Sequence, residues 1–463
     1  MRRTVFAAVL VLLAGVAAGV AYKAASSDRE YQRLIATGES SLAAGQTSLA
    51  VEAFSGAIAL RPDSMLAYLK RGETYRHEGD LRAALRDLRT ANNLDPTATR
   101  PLEQLGDVFT ALQRYDRAAE RYAAYVQIDD RSPQVLYKLA LAHYRAGHAP
   151  DAIKPARQAL AINNRFAEAH YLLGLCYEAD RGHREAIRSF EQAIRLAPAL
   201  TPAREALAAT YRVVGRHRDA IDQLEAVAAL DRERADRLVA LATAYADAGR
   251  MDLAVSTLGR AAERFPDNPS VFAALGEVWL KSAEARSDDV ALSKAIEALR
   301  VAVMRSSGTG RELALYGRAQ LLAGDTAGAL RSLQEAATKL PVAPETFRHL
   351  AAAASRQGDT RQARDALVRF VALQPGSSVS RDVAYQIGEW SLRLLEPATA
   401  TAWLVRALDS ASPDPMVTAD LADAYIASGR PDAARETVEN GLRHTPDDRR
   451  LLRLRAQLSR GRT

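Results

Sequence analysis

From Tyr31 onward, apolar and polar residues recur with two periods at once. Within short stretches the apolar positions fall three and four residues apart, the spacing of one face of an α-helix. Along the chain the whole pattern returns every 34 residues. In a frame that starts at Tyr31, the eighth residue is small: Gly38, Gly72, Gly106, Ala140, Gly174, Ala208, Ala242 and Gly276. The twentieth is Ala50, Ala84, Ala118, Ala152, Ala186, Ala220 and Ala254, and the twenty-fourth is bulky in Phe54, Leu88, Tyr122, Phe190, Leu224 and Leu258. A glycine stands fifteenth in Gly45, Gly79, Gly147, Gly215 and Gly249, and a proline thirty-second in Pro62, Pro96, Pro198 and Pro266. Each copy therefore predicts two helices joined by a glycine-containing turn, with the proline ending the second. The small eighth and twentieth residues are expected where two helices cross, since only a short side chain lets the backbones approach. The bulky twenty-fourth residue fills the space between them.

The frame slips in two places. The copy from Pro269 is seven residues too long, an insertion near 281–294, and the period resumes at Gly310. Three extra residues follow Pro375, and copies begin again at Arg381 and Pro415. Twelve copies then occupy 31–448, which leaves 1–30 as an N-terminal segment and linker and 449–463 as a capping helix and tail. No copy can bury its apolar face alone, so stability is expected to come from stacking neighbours.

The pattern in Tyr171-Leu172-Leu173-Gly174, Tyr177, Ala186, Phe190, Ala193 and Pro198 resembles that of the tetratricopeptide repeat family. The resemblance covers about nine-tenths of the chain. It implies an all-α, right-handed superhelical solenoid of helix-turn-helix repeats, here with an N-terminal signal-anchor helix. In that family the first helix of each copy lines a concave groove that receives a protein or peptide partner. The helix face holding the second, fifth, ninth, twelfth and thirteenth frame residues points inward. By that correspondence the groove carries Tyr137, Tyr144 and Tyr171, surrounded by Glu73, Arg76, His77, Glu103, Asp107, Arg145, Glu168, Glu178, Glu205 and Arg212. Exposed tyrosines give rigid contact area with a polar tip. The mixed charges would set orientation and association rate. The co-chaperone version of the fold grips a C-terminal carboxylate with an asparagine at the ninth position. Asparagine never occupies that position here, so the clamp is not expected.

The N-terminal segment calls for separate treatment. The 19 residues from Thr4 to Tyr22 carry no charge and follow Arg2 and Arg3. As a helix they would span about 28 Å, close to the hydrocarbon core of a bilayer. The run is longer than the apolar part of a cleaved signal, which favours a membrane anchor. Small residues at Val16-Ala17-Ala18 and Gly19-Val20-Ala21 leave signal cleavage as the alternative. Either way the arginines are expected to stay cytoplasmic, placing the repeats across an inner membrane: tethered in the first case, periplasmic or secreted in the second.

Composition narrows the chemistry. One cysteine, Cys176, excludes a disulfide framework and any multi-cysteine metal site. Burial in a first helix accounts for it. A net charge of +6 on 463 residues is too mild to point to nucleic acid. Six arginines in 449–463, namely Arg449, Arg450, Arg453, Arg455, Arg460 and Arg462, could meet an anionic surface or simply solvate a cap helix. Aromatic residues make up 6%, in keeping with helix crossings that demand glycine and alanine. The eight histidines show no HExxH and no metal-ligand spacing; His148, His183 and His217 fall just after turns, as solvated residues would. Ser306-Ser307-Gly308-Thr309-Gly310 lacks the lysine of a phosphate loop and reads as a linker. With the repeats consuming the chain, no catalytic residue, cofactor or metal is expected. The sequence thus points to an interaction scaffold, an assembly or chaperone-like factor of a bacterial envelope. The alternative is a regulatory subunit of a separately encoded glycosyltransferase or peptidase.

Overall fold

Helix starts are written into the sequence as side-chain caps and prolines. Ser64 Oγ accepts from the Ala67 N–H at 3.2 Å, Asp80 Oδ1 from the Ala83 N–H at 2.9 Å, and Ser132 Oγ from the Val135 N–H at 3.3 Å. Pro133, Pro269, Pro344 and Pro415 open their helices at the first position, where a missing N–H costs nothing. The computed structural model describes residues 2–230, 234–306, 308–374, 379–409 and 411–460, with side chains for all of these except 2–21 and 24. Among the described residues every regular element is a helix.

The chain divides into two units, Met1–Leu230 and Asp231–Thr463. Unit 1 holds α1 (Arg2–Ala43), α2 (Thr47–Leu60), α3 (Met65–Glu78), α4 (Leu81–Leu94), α5 (Thr99–Ala111) and α6 (Tyr115–Ile128). It continues with α7 (Pro133–Arg145), α8 (Ala149–Ile162), α9 (Ala167–Ala179), α10 (His183–Leu196), α11 (Thr201–Val213) and α12 (His217–Leu230). Unit 2 holds α13 (Ala235–Asp247), α14 (Met251–Arg264), α15 (Pro269–Arg286), α16 (Asp289–Ser306), α17 (Gly310–Leu322) and α18 (Thr326–Ala336). Then follow α19 (Pro344–Arg356), α20 (Thr360–Ala372), α21 (Arg381–Arg393), α22 (Pro397–Ala407), α23 (Pro415–Ala427), α24 (Pro431–His444) and α25 (Arg449–Arg460). Within each unit a first helix packs on its second, which packs on the first helix of the next pair.

The crossing inside a pair is set by frame positions eight and twenty-four. A Cβ at Gly72 would lie 2.8 Å from Leu88 Cγ, and one at Gly38, Gly106 or Gly174 would enter the ring of Phe54, Tyr122 or Phe190. The backbones are that close, and Phe54, Phe190 and Tyr122 are correspondingly sealed from solvent. The tight turn between helices needs a left-handed residue. Gly79 and Gly147 supply it at φ +85°, whereas Gln113, Arg181 and Leu395 are forced into the same region at φ 57°, 59° and 59°.

The seven-residue insertion is shared between two helices. α15 and α16 are each 18 residues long, against 13 and 14 in α13 and α14. Ser287, left-handed at φ 51°, turns one into the other. The basic C-terminal stretch forms α25, whose Leu451, Leu454 and Leu458 are buried against Ala434, Val438 and Leu442 of α24. Arg450 reaches back to Asp420 at 2.5 Å and Asp423 at 2.7 Å on α23. The expected membrane anchor, residues 4–22, lies outside the described side chains but for Tyr22. Among the described residues no helix is long and apolar enough to cross a membrane.

Candidate partner-binding surface

First helices of neighbouring pairs are tied together by polar side chains. Between α3 and α5, Arg100 Nε meets Glu73 Oε1 at 2.7 Å and Arg76 Nε donates to Gln104 Oε1 at 3.0 Å. Between α5 and α7, Lys138 Nζ sits 2.8 Å from both Glu103 Oε1 and Asp107 Oδ1. Tyr122 Oη, from α6, donates to the same Asp107 oxygen at 2.7 Å. Burial first, and Asp107 second, pushes that phenol well above its ordinary range. Between α9 and α11, Thr210 Oγ1 donates to Glu178 Oε2 at 3.0 Å, and His183 Nδ1 lies 3.2 Å from that oxygen. Unit 2 repeats the device: Arg311 pairs with Glu277 at 2.7 Å and Arg318 with Glu284 at 2.5 Å, joining α17 to α15.

This arrangement sorts the residues expected in the groove. Glu73, Arg76, Glu103, Asp107 and Glu178 are engaged in bonds between repeats, and Glu73 is only 7% exposed. His77 is exposed at the end of α3. The other seven fall into a neighbouring group. Tyr137 and Tyr144 stand seven residues apart on α7, hence on one face, and Tyr171 follows on α9. All three are half-buried, while Arg145, Glu168 and Glu205 are exposed around them and Arg212 is partly covered on α11.

The rings are held from behind. Tyr137 packs on Phe166 with centroids 5.0 Å apart, and Tyr171 on Phe190 at 6.0 Å. The Arg145 guanidinium lies over Tyr115 at 5.8 Å. Burial raises the Tyr137 phenol, with the Glu168 carboxylate adding to the effect and Arg145 opposing it. Burial likewise raises Tyr171, and Tyr144, Glu205 and Tyr137 add to it. These side chains therefore share one electrostatic neighbourhood: three phenol rings, one cation and two carboxylates. Such a surface can hold an extended peptide by stacking and by hydrogen bonds to its backbone.

Two features escape the sequence reading. In unit 2 a cavity of about 170 Å³ opens between α17 and α19, lined by Arg311, Leu315, Arg318, Val342, Thr346 and His349. Burial, with Arg318 and Arg348 nearby, pushes His349 down to about 4. In unit 1, His143, His148 and Asp151 place their ligand atoms within 4.8 Å of one another, although their sequence spacing matches no familiar metal motif. His217 is partly exposed at its turn position, with its Nδ1 buried and without a hydrogen-bond partner. Cys176 is sealed in the core, and burial pushes its thiol up to about 12.

Stacked helix pairs with a polar first-helix face define a helical-repeat scaffold. Tetratricopeptide repeat profiles match residues 35–99, 103–164 and 137–201 in unit 1. They also match residues 214–278 and 396–458. The chain belongs to the tetratricopeptide repeat family. A curated relative, small glutamine-rich tetratricopeptide repeat-containing protein 2 of Mycosarcoma maydis, is 30% identical over 107 residues. That match covers 23% of this chain and 30% of the relative. Among solved structures, MamA is 25% identical, covering 37% of this chain and 94% of its own, with a TM-score of 0.36. YrrB, described as a TPR protein with an unusual peptide-binding site, is 19% identical over 41% of this chain and 97% of its own, with a TM-score of 0.38. The hetero-tetramer Cut9–Hcn1 provides a chain 14% identical over 92% of this one and 96% of its own, at a TM-score of 0.36.

Proposed function

We propose that the protein is a non-catalytic scaffold that holds an extended segment of a partner protein against the first-helix face of unit 1, centred on Tyr137, Tyr144 and Tyr171. One observation carries this reading. Beside the repeat-to-repeat bonds of Glu73, Arg76, Glu103, Asp107 and Glu178, these three rings stand together, half-exposed and flanked by the exposed Arg145, Glu168 and Glu205. A rigid aromatic patch loses little side-chain entropy on binding, and the charged rim steers a partner of mixed charge. In this reading the scaffold serves assembly in a bacterial envelope, held on the far side of the inner membrane by residues 4–22. The support for that tether is the sequence: 19 uncharged residues behind Arg2 and Arg3.

A photo-crosslinking amino acid at Tyr144 tests the surface in cells. The expected result is a discrete adduct that disappears when Tyr171→Ala and Glu168→Lys are added. The same probe at Arg188, exposed on α10, should give none. Equal adducts at both positions would overturn the assignment. Intact mass of the membrane-fraction protein tests the tether: a chain starting at Met1 supports it, and a start at Gly19 or Tyr22 removes it.

A further inference from the structure

We propose that the turn between α7 and α8 is a binding site for a divalent transition-metal ion of the zinc type, held by His143, His148 and Asp151 with Asp116 as the neighbouring carboxylate. This goes beyond partner binding and does not depend on it. One imidazole nitrogen from each histidine and a carboxylate oxygen of Asp151 lie within 4.8 Å of one another. Tetrahedral zinc with bonds of about 2.0–2.2 Å needs donors about 3.3 Å apart, a closure that side-chain rotation at a turn supplies. Asp116 Oδ1, at the start of α6, is 3.6 Å from His148 Nδ1. It is placed either to complete the coordination or to orient the His148 imidazole through Nδ1 while Nε2 faces the metal.

The backbone presets the three ligands. The His148 N–H donates to the His143 carbonyl at 2.9 Å, and the Asp151 N–H donates to the His148 carbonyl at 3.1 Å. Gly147, at φ +85°, makes the tight turn that brings the first of these about. The same frame positions, eleven, sixteen and nineteen, meet in other repeats. In the sixth copy Arg216 lies 4.3 Å from the Tyr211 ring centroid and 2.6 Å from Asp219. In the twelfth, Arg430 stacks over Tyr425 at 5.0 Å. All three positions thus meet in the sixth copy and the first two in the twelfth, and the fourth copy alone fills the three with two histidines and an aspartate. Two imidazoles and one or two carboxylates suit zinc, and the exposure of His148 and Asp151 leaves an entry path. Bound metal would clamp the end of α7 to α8 and, through Asp116, to the preceding repeat, one residue from Tyr144.

The test uses the untagged full-length protein and cobalt(II) as a spectroscopic substitute. The expected result is a saturable visible band with one cobalt per chain, displaced by zinc. His143→Gln and His148→Gln each abolish the band, Asp116→Asn weakens binding about 10–100-fold, and His183→Gln leaves it unchanged. His148 is exposed, so its variant keeps the fold, and unchanged helicity checks this. No band in the wild-type protein, or a band that survives both histidine variants, overturns the proposal.

Discussion

Placing a methyl group on Gly174 would drive a Cβ into the ring of Phe190, in the middle of a sealed crossing. Gly174→Ala is therefore expected to cost about 1–3 kcal/mol, the usual penalty of overpacking. The chain itself indicates the remedy. Where the eighth residue is alanine, as in Ala208, Ala242 and Ala351, the twenty-fourth is Leu224, Leu258 or Leu367, never an aromatic ring. Adding Phe190→Leu to Gly174→Ala should recover part of the loss, and urea titration of the single and double variants measures the coupling. Equal or larger loss in the double variant would show that the two positions do not share one space. A second expectation concerns backbone strain. Leu395 is 87% exposed and held at φ 59°, a region that costs a side-chain-bearing residue about 1–2 kcal/mol. Leu395→Gly should raise stability by about 1 kcal/mol, after the greater freedom of unfolded glycine is subtracted. A lower melting temperature would refute it.

Elements inherit their roles from what they cover. α25 is basic by composition, yet its three leucines close the core of α23 and α24, and Arg450 is spent on Asp420 and Asp423. Leu451→Ala should destabilise this end by about 2–4 kcal/mol, seen as lost hydrogen-exchange protection in α23 and α24. Arg453→Gln and Arg455→Gln, on the exposed side, should stay within about 0.5 kcal/mol of the parent. In α19 the relevant quantity is protonation. His349 titrates near 4 in the folded unit and near 6.5 when unfolded. Above 6.5 it is neutral in both states and contributes no pH dependence. Between 6.5 and 4 the unfolded chain takes up a proton that the folded unit refuses, so stability falls as pH falls, by at most about 3 kcal/mol. His349→Gln should flatten the urea midpoint of unit 2 across that window. An unchanged slope would mean that the histidine is not held neutral.

At the scale of the whole molecule, the repeat architecture is legible because it is nearly one-dimensional: the pair Gly174 and Phe190, sixteen residues apart, carries the information for a crossing. The binding face is less legible. Glu103 and Glu168 both sit on first helices, and nothing near either tells that one meets Lys138, 35 residues on, while the other stays exposed. Whether a long side chain reaches its neighbour depends on the phase of the next helix, which no single copy encodes. The approach of His143 to Asp151 is hidden for the related reason that it spans a turn. The same one-dimensionality fixes how damage should spread. Phe190 is fully buried, and Phe190→Ala removes about 3–5 kcal/mol locally. With no long-range core to share the loss, only nearest neighbours feel it. Hydrogen exchange should show protection falling most in α9 and α10, less in α8 and α11, and little in α2 to α4. Unit 2, a separate compact unit, should keep its rates. A uniform loss of protection across both units would instead mean that the chain unfolds as one cooperative body, and the nearest-neighbour account of its stability would have to be given up.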